Sequence, residues 1–277
     1  ILWELMEAYQ APVLTERVSL RAPLQYAAIW QVTQKLTDRP VKFGAIAVDS
    51  VFHMIQNRHY DSNVEFLNDL ADIVNKEYRQ LSTVGCPIIQ IEEPMLHLLD
   101  VPSAGDLDKE ALIEVFNRQV EGVDCEIWCH TCWGNPAQQS VKDETTTYEP
   151  ALEDLFRVKA DVVTFECAST GGKDIPAIGA FKTDKKIAIG VISHLKTQVE
   201  TPDEVAALLR KALEHIPAER LIATTDCGFG REGLSRRIAF YKMVALVEGT
   251  NIVRKELGLA QAEVRASDPR FAFSYEG

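Results

Sequence analysis

Short β-branched and apolar runs, each closing on polar residues and each followed by a longer helical pattern, alternate along this chain and restrict its fold more than any other feature. The runs are PVKFGAIAV (40–48), CPIIQIEEP (86–94), CEIWCHT (125–131), ADVVTFEC (160–167), KIAIGVIS (186–193) and RLIATTDC (220–227). Helical periodicity occupies 61–84, 108–120, 149–158, 202–215 and 234–257, with an earlier helix in PLQYAAIWQVTQKL. The start at TPDEV is the plainest: Thr201 is an N-cap, Pro202 fits the first turn, and Asp203 and Glu204 suit the positive end of the helix dipole.

Near-continuous apolar strands alternating with amphipathic helices imply a parallel sheet buried on both faces, either doubly wound or closed as a barrel. The polar strand ends decide between them. Glu92 and Glu93, His130 and Cys132, Glu166, Ser193 and His194, and Asp226 and Cys227 all fall at or just after carboxyl ends. In a (β/α)8 barrel those ends meet at one mouth, where catalytic groups sit. The expectation is therefore an α/β TIM barrel forming a single catalytic domain over 1–277. Six βα units are legible where a closed barrel has eight, so one or two units, about 80–100 residues, are expected to precede Ile1. No internal repeat, low-complexity tract or linker interrupts the pattern.

The 277 residues suit one large domain, and no apolar run approaches the roughly 20 residues that span a bilayer, so no membrane segment is expected. A net charge of −12 offers little to a phosphate backbone, which argues against nucleic acid and for small-molecule partners. Cys86, Cys125, Cys129, Cys132, Cys167 and Cys227 lie in a chain without the look of a disulfide scaffold, which points to a reducing, cytoplasmic setting and to thiols or metal ligands.

The strongest local signal is CHTCWGN at 129–135. His130 and Cys132 stand one residue apart at a strand end, and in extended backbone such a pair projects to the same side, so one imidazole and one thiolate can hold one ion. Taken alone the pair is weak, since a strand-end histidine beside a buried cysteine is often only packed. Glu166 in TFECAS and Cys227 in TTDCGFG supply a carboxylate and a second thiolate. That donor set suits tetrahedral zinc, and its soft sulfur disfavours magnesium and calcium.

With these residues in order, the chain resembles the cobalamin-independent methionine synthase family. Its zinc site takes a His-x-Cys pair, a Glu after the next strand and a later Cys, and QIEEP at 90–94 matches the family's Gln-Ile-Asp-Glu-Pro strand end. The likeness runs from about residue 14 to 257 and is most continuous over IGVISHLKTQVETPDEVAALLRKALEHIPAERLIATTDCGFG. It implies zinc held by His130, Cys132, Glu166 and Cys227, and a homocysteine thiol activated on that zinc and methylated to methionine. It also implies that Glu92 meets the amino group of homocysteine, and that His194 serves as acid–base residue, one position earlier than in the family pattern. Asp226 is grouped with His194 as catalytic, orienting a ligand or a loop amide beside Cys227, and Trp133 is read as a pocket wall or rim cover. The donor is a methylated corrinoid protein, methylcobalamin or a methyl-folate. The oligomeric state is not legible.

Plainer readings stand beside these. Cys86, Cys125 and Cys129 are core packing, Cys167 competes with Glu166 as ligand, and His53, His59, His97 and His215 are ordinary surface or helix-flanking residues. The GFG at 228–230 lacks the spacing and lysine of a phosphate loop. Arg231, Arg236 and Arg237 after Cys227 keep open a sulfonate thiol, as in epoxyalkane:coenzyme M transferases, which share the chemistry. A non-catalytic zinc- or corrinoid-binding barrel is the alternative of another class.

Overall fold

A computed structural model of the chain describes residues 11–97, 107–133, 147–230, 234–268 and 270. The chain divides into two compact units, Ile1–Thr131 with Pro150–Val163, and Cys132–Glu149 with Thr164–Gly277. Gly134, Asn135 and Arg231, named above, lie outside the described residues.

The described part of the first unit begins with a two-residue strand β1 (Val13–Leu14), helix α1 (Tyr26–Gln34), strand β2 (Phe43–Ile46), the short helix α2 (Val48–Phe52) and strand β3 (Gln56–Asn57), which pairs with β1. Helix α3 (Asn63–Thr83), strand β4 (Ile88–Glu92), helix α4 (Lys109–Gln119), strand β5 (Glu126–His130) and helix α5 (Leu152–Arg157) follow, and the unit boundary runs through strand β6 (Val162–Phe165). Strand order is β2-β4-β5-β6, with the β2–β4 and β4–β5 pairs parallel. The helices start where the sequence offers caps. Ser62 accepts from the Glu65 amide at 3.3 Å and Asp108 from the Ala111 amide at 2.8 Å. On β4 the residues alternate, with Ile89 and Ile91 fully buried while Gln90 and Glu92 occupy the other face. Bidentate pairing of Arg118 with Asp72 links α4 to α3 at the surface.

The second unit continues from Thr164–Phe165 into helix α6 (Ile175–Ala180), strand β7 (Lys186–Ile192), helix α7 (Pro202–Leu213), strand β8 (Leu221–Thr225) and helix α8 (Arg236–Glu256). Its strand order is β6-β7-β8, with β7 and β8 parallel. β7 is buried at every position after Lys186, as expected of a strand covered on both faces. Its ladder with β8 shifts register between Gly190 and Ile192. The capping box expected at Thr201 forms: Glu204 N donates to Thr201 Oγ1 at 3.2 Å, and the Thr201 amide donates to Glu204 Oε2 at 2.7 Å.

The strands and helices read from the sequence recur, shortened by one to three residues at most ends. Three features lacked a sequence signal: the β1–β3 pairing and the one-turn helices α2 and α6. Each is too short to carry periodicity, so only tertiary contact sustains it. Among the described residues no helix is long and apolar enough to cross a membrane.

Helices α7 and α8 approach closely because Gly249 has no side chain. A Cβ there would stand 2.5 Å from Val205 Cβ and 2.6 Å from the Pro202 carbonyl oxygen. Gly249→Ala is expected to destabilise the protein by about 1–3 kcal/mol through overpacking, although alanine is the better helix former. Thermal unfolding checks this, and an unchanged or raised melting temperature contradicts it.

Candidate metal and thiol site

The carboxyl ends of β6, β7 and β8 in the second unit carry its most chemically loaded residues. Cys132 and Cys227 are both buried, with their sulfurs 3.6 Å apart. Two thiolates 2.3 Å from a zinc at the tetrahedral angle stand about 3.8 Å apart, so this pair has the spacing of two sulfur ligands to one ion. Glu166, His194 and Asp226 form a second buried cluster, each offering one donor atom within 4.8 Å of the others. Two carboxylates so close and so deeply buried repel one another, and a cation beside them relieves that repulsion.

Each carboxylate is held by the backbone. Glu166 Oε2 accepts from the Trp133 amide at 2.8 Å, and its Oε1 accepts a short bond from the Ser169 hydroxyl. Asp226 takes three amides of the turn after β6: Cys167 N and Ala168 N donate to Oδ1, each at 2.8 Å, and Ser169 N donates to Oδ2 at 2.7 Å. Burial, and then the charge of Glu166, push the Asp226 carboxyl up to about 7, against the pull of these three amides. A bound cation shifts that balance toward the ionised form. Gly190 makes room for the arrangement: a Cβ there would fall 2.1 Å from Asp226 Oδ1 and 2.8 Å from Asp226 Cα.

Burial, reinforced by the charge of Asp226, raises the Cys167 thiol well above its usual range. Glu166, beside it in sequence, is the one that joins the cluster with His194 and Asp226.

Trp133 is buried and donates its amide to Glu166, while its ring lies 4.4 Å from that of Tyr148. Tyr148 is wholly buried, packs edge-on against Phe165, and donates no sequence signal of its role; its hydroxyl accepts from the Glu166 amide at 3.3 Å. It lies between QSVKDETTT and the helix that follows, where nothing in the pattern marks it.

In the first unit, His130 ends β5, buried, and stands in register with Glu92, the last residue of β4. Cross-strand partners share a face of the sheet, so Glu92 and His130 project together at the strand ends. Glu92 is exposed, and its charge partly counters the desolvation that lowers Lys42 to about 8. Glu93 is buried and keeps a partner that the sequence reading did not single out, Asp49. The Glu93 carboxyl is raised well above its ordinary range by burial and then by the charge of Asp49, whose own carboxyl is raised by burial. Its Oε1 accepts the Met95 and Leu96 amides, each at 3.0 Å. The signal for Asp49 was a carboxylate directly after the apolar run FGAIAV. Arg236 and Arg237 open α8, and Arg237 sits 6.0 Å from the Tyr241 ring centre.

Parallel βα units with buried cysteines and carboxylates at the strand ends define an α/β protein of the parallel-sheet class. The chain belongs to the family described as the cobalamin-independent synthase catalytic domain, whose model matches residues 4–248. It is 29% identical over 250 residues to the methionine synthase of Saccharolobus solfataricus, covering 90% of this chain and 69% of that protein. To a methionine synthase of Saccharolobus islandicus it is 34% identical over 201 residues, covering 73% of this chain but 54% of that protein. The chain thus spans between roughly half and two thirds of the length of these curated relatives. A solved structure, the B12-independent methionine synthase from Shewanella sp. W3-18-1 in complex with selenomethionine, superposes with a TM-score of 0.76 at 27% identity, covering 88% of this chain and 71% of that one.

Asp226→Ala strands one buried and two part-buried amides and is expected to cost about 2–3 kcal/mol, whereas Asp226→Asn, which keeps one acceptor oxygen, should lose less. Urea unfolding of both variants checks the order. Equal stability of Ala and Asn would show that the amide bonds contribute nothing.

Proposed function

We propose that this chain is the catalytic domain of a zinc-dependent methyltransferase that moves a methyl group onto the thiol of homocysteine, forming methionine. The observation that carries the reading is the buried Cys132–Cys227 pair at 3.6 Å, a spacing suited to two thiolates on one zinc. Family membership and the methionine synthase relatives support the reaction. The selenomethionine bound by the Shewanella relative supports a methionine-shaped ligand here. Glu166 is the third ligand in this proposal, and His130, two residues before Cys132, is the fourth on its spacing in the chain.

When bound, zinc supplies the acidity that converts a substrate thiol to a thiolate at neutral pH. The residues of the chain do the rest. Glu92 binds the substrate's ammonium from the exposed end of β4. Trp133, braced by Tyr148, shields the reacting sulfur from water. His194 supplies the proton taken up by the donor's leaving group, and Asp226 keeps the β6 turn, and with it Glu166, in place. Sulfur forms a bond to the methyl carbon as the donor's bond to that carbon breaks. The cobalamin-independent description of the family weighs against a methylated corrinoid, so a methyl-folate is the proposed donor.

The test is zinc content of the purified protein with X-ray absorption at the zinc edge. One zinc per chain is expected, with an added sulfur scatterer on homocysteine and none on coenzyme M. Cys227→Ser is expected to lower zinc retention and abolish transfer with the fold preserved. Absence of zinc in protein kept reduced, or wild-type transfer in Cys227→Ser, overturns the proposal.

A further inference from the structure

Lys242 is fully buried in α8, yet nothing in the reaction above uses it. Its ammonium donates to the Gln198 carbonyl and to Glu200 Oε2, both at 2.7 Å. The other oxygen of Glu200 accepts the Ser193 amide at 3.0 Å. Ser193 directly precedes His194, and its hydroxyl accepts the Leu195 amide at 3.2 Å. A chain of ammonium, carboxylate and amide therefore closes the segment 193–200 on itself and ties both of its ends to α8. The helix is close enough to do this because Gly249, two turns further along the same face, lets α8 settle against α7.

Burying the Lys242 ammonium is costly, the Glu200 carboxylate that meets it is partly exposed at 14%, and well-packed apolar residues often serve stability as well as or better than such a pair. An ion pair that contributes little to net stability still fixes geometry, because its bonds are strong and directional. What this pair fixes is the segment holding His194, whose ring offers a donor atom within 4.8 Å of Glu166 and Asp226.

We infer that Lys242 and Glu200 are positioning residues for His194: the ion pair holds the 193–200 segment so that the imidazole stands against Glu166 and Asp226. The consequence for turnover rests on the methyltransferase reading, whereas the position of the imidazole does not. Lys242 touches neither the carboxylates nor the thiolates described above, and it acts only through the segment it holds.

Lys242→Met alone leaves the Glu200 charge without its partner, so the informative variants are Glu200→Gln and the neutral pair Lys242→Met with Glu200→Gln. The first measurement is the imidazole nitrogen–proton spectrum of the zinc-loaded, full-length chain, with the His194 signals assigned by their loss in His194→Gln. Both variants are expected to move the His194 signals and leave those of the other histidines in place. The second is steady-state transfer to homocysteine. Here kcat should fall about tenfold or more, as small misplacements of a reacting group do, while KM stays within about twofold and zinc content is unchanged.

Unmoved His194 signals in the folded neutral pair overturn the inference, as does wild-type kcat in that variant. If wild-type protein transfers nothing to homocysteine, the functional reading fails by itself, and the spectra still decide whether the pair positions His194.

Discussion

The carboxylate of Asp226 is the point on which the second unit's chemistry depends. Three successive amides after β6 turn toward it, which fixes the path of the backbone just beyond Glu166. Asp226 itself immediately precedes Cys227, so one side chain relates the turn carrying a carboxylate to the turn carrying a thiolate. Such an arrangement holds the turns carrying Glu166 and Cys227 in a fixed relation.

The same arrangement explains two glycines. Gly190 lies under Asp226 inside a largely apolar strand, where a side chain would collide with the Asp226 backbone. Gly249 allows α8 to reach α7, which brings the ammonium of Lys242 to Gln198 and Glu200. Both sacrifice local propensity for an approach that matters only in three dimensions. Backbone amides hold the buried carboxylates of Asp226 and Glu93, and a fully buried ammonium, Lys242, holds the partly buried carboxylate of Glu200.

Much of this was legible in the chain itself. Alternating apolar runs and amphipathic stretches determined the βα order, because strand and helix periods are properties of local sequence. The cap at Thr201 was readable because its partners lie within four residues. His130, Cys132, Glu166 and Cys227 stood out because reactive side chains at strand ends are conspicuous against apolar runs. Only the tertiary structure decided what those residues meet. The 3.6 Å between Cys132 and Cys227 spans 95 positions of sequence, Asp49 joins Glu93 from a different strand end, Tyr148 braces Trp133, and Lys242 reaches Gln198 from a helix 44 positions away. Each of these depends on long-range packing, and no local pattern encodes the distance between atoms that the folded backbone brings together.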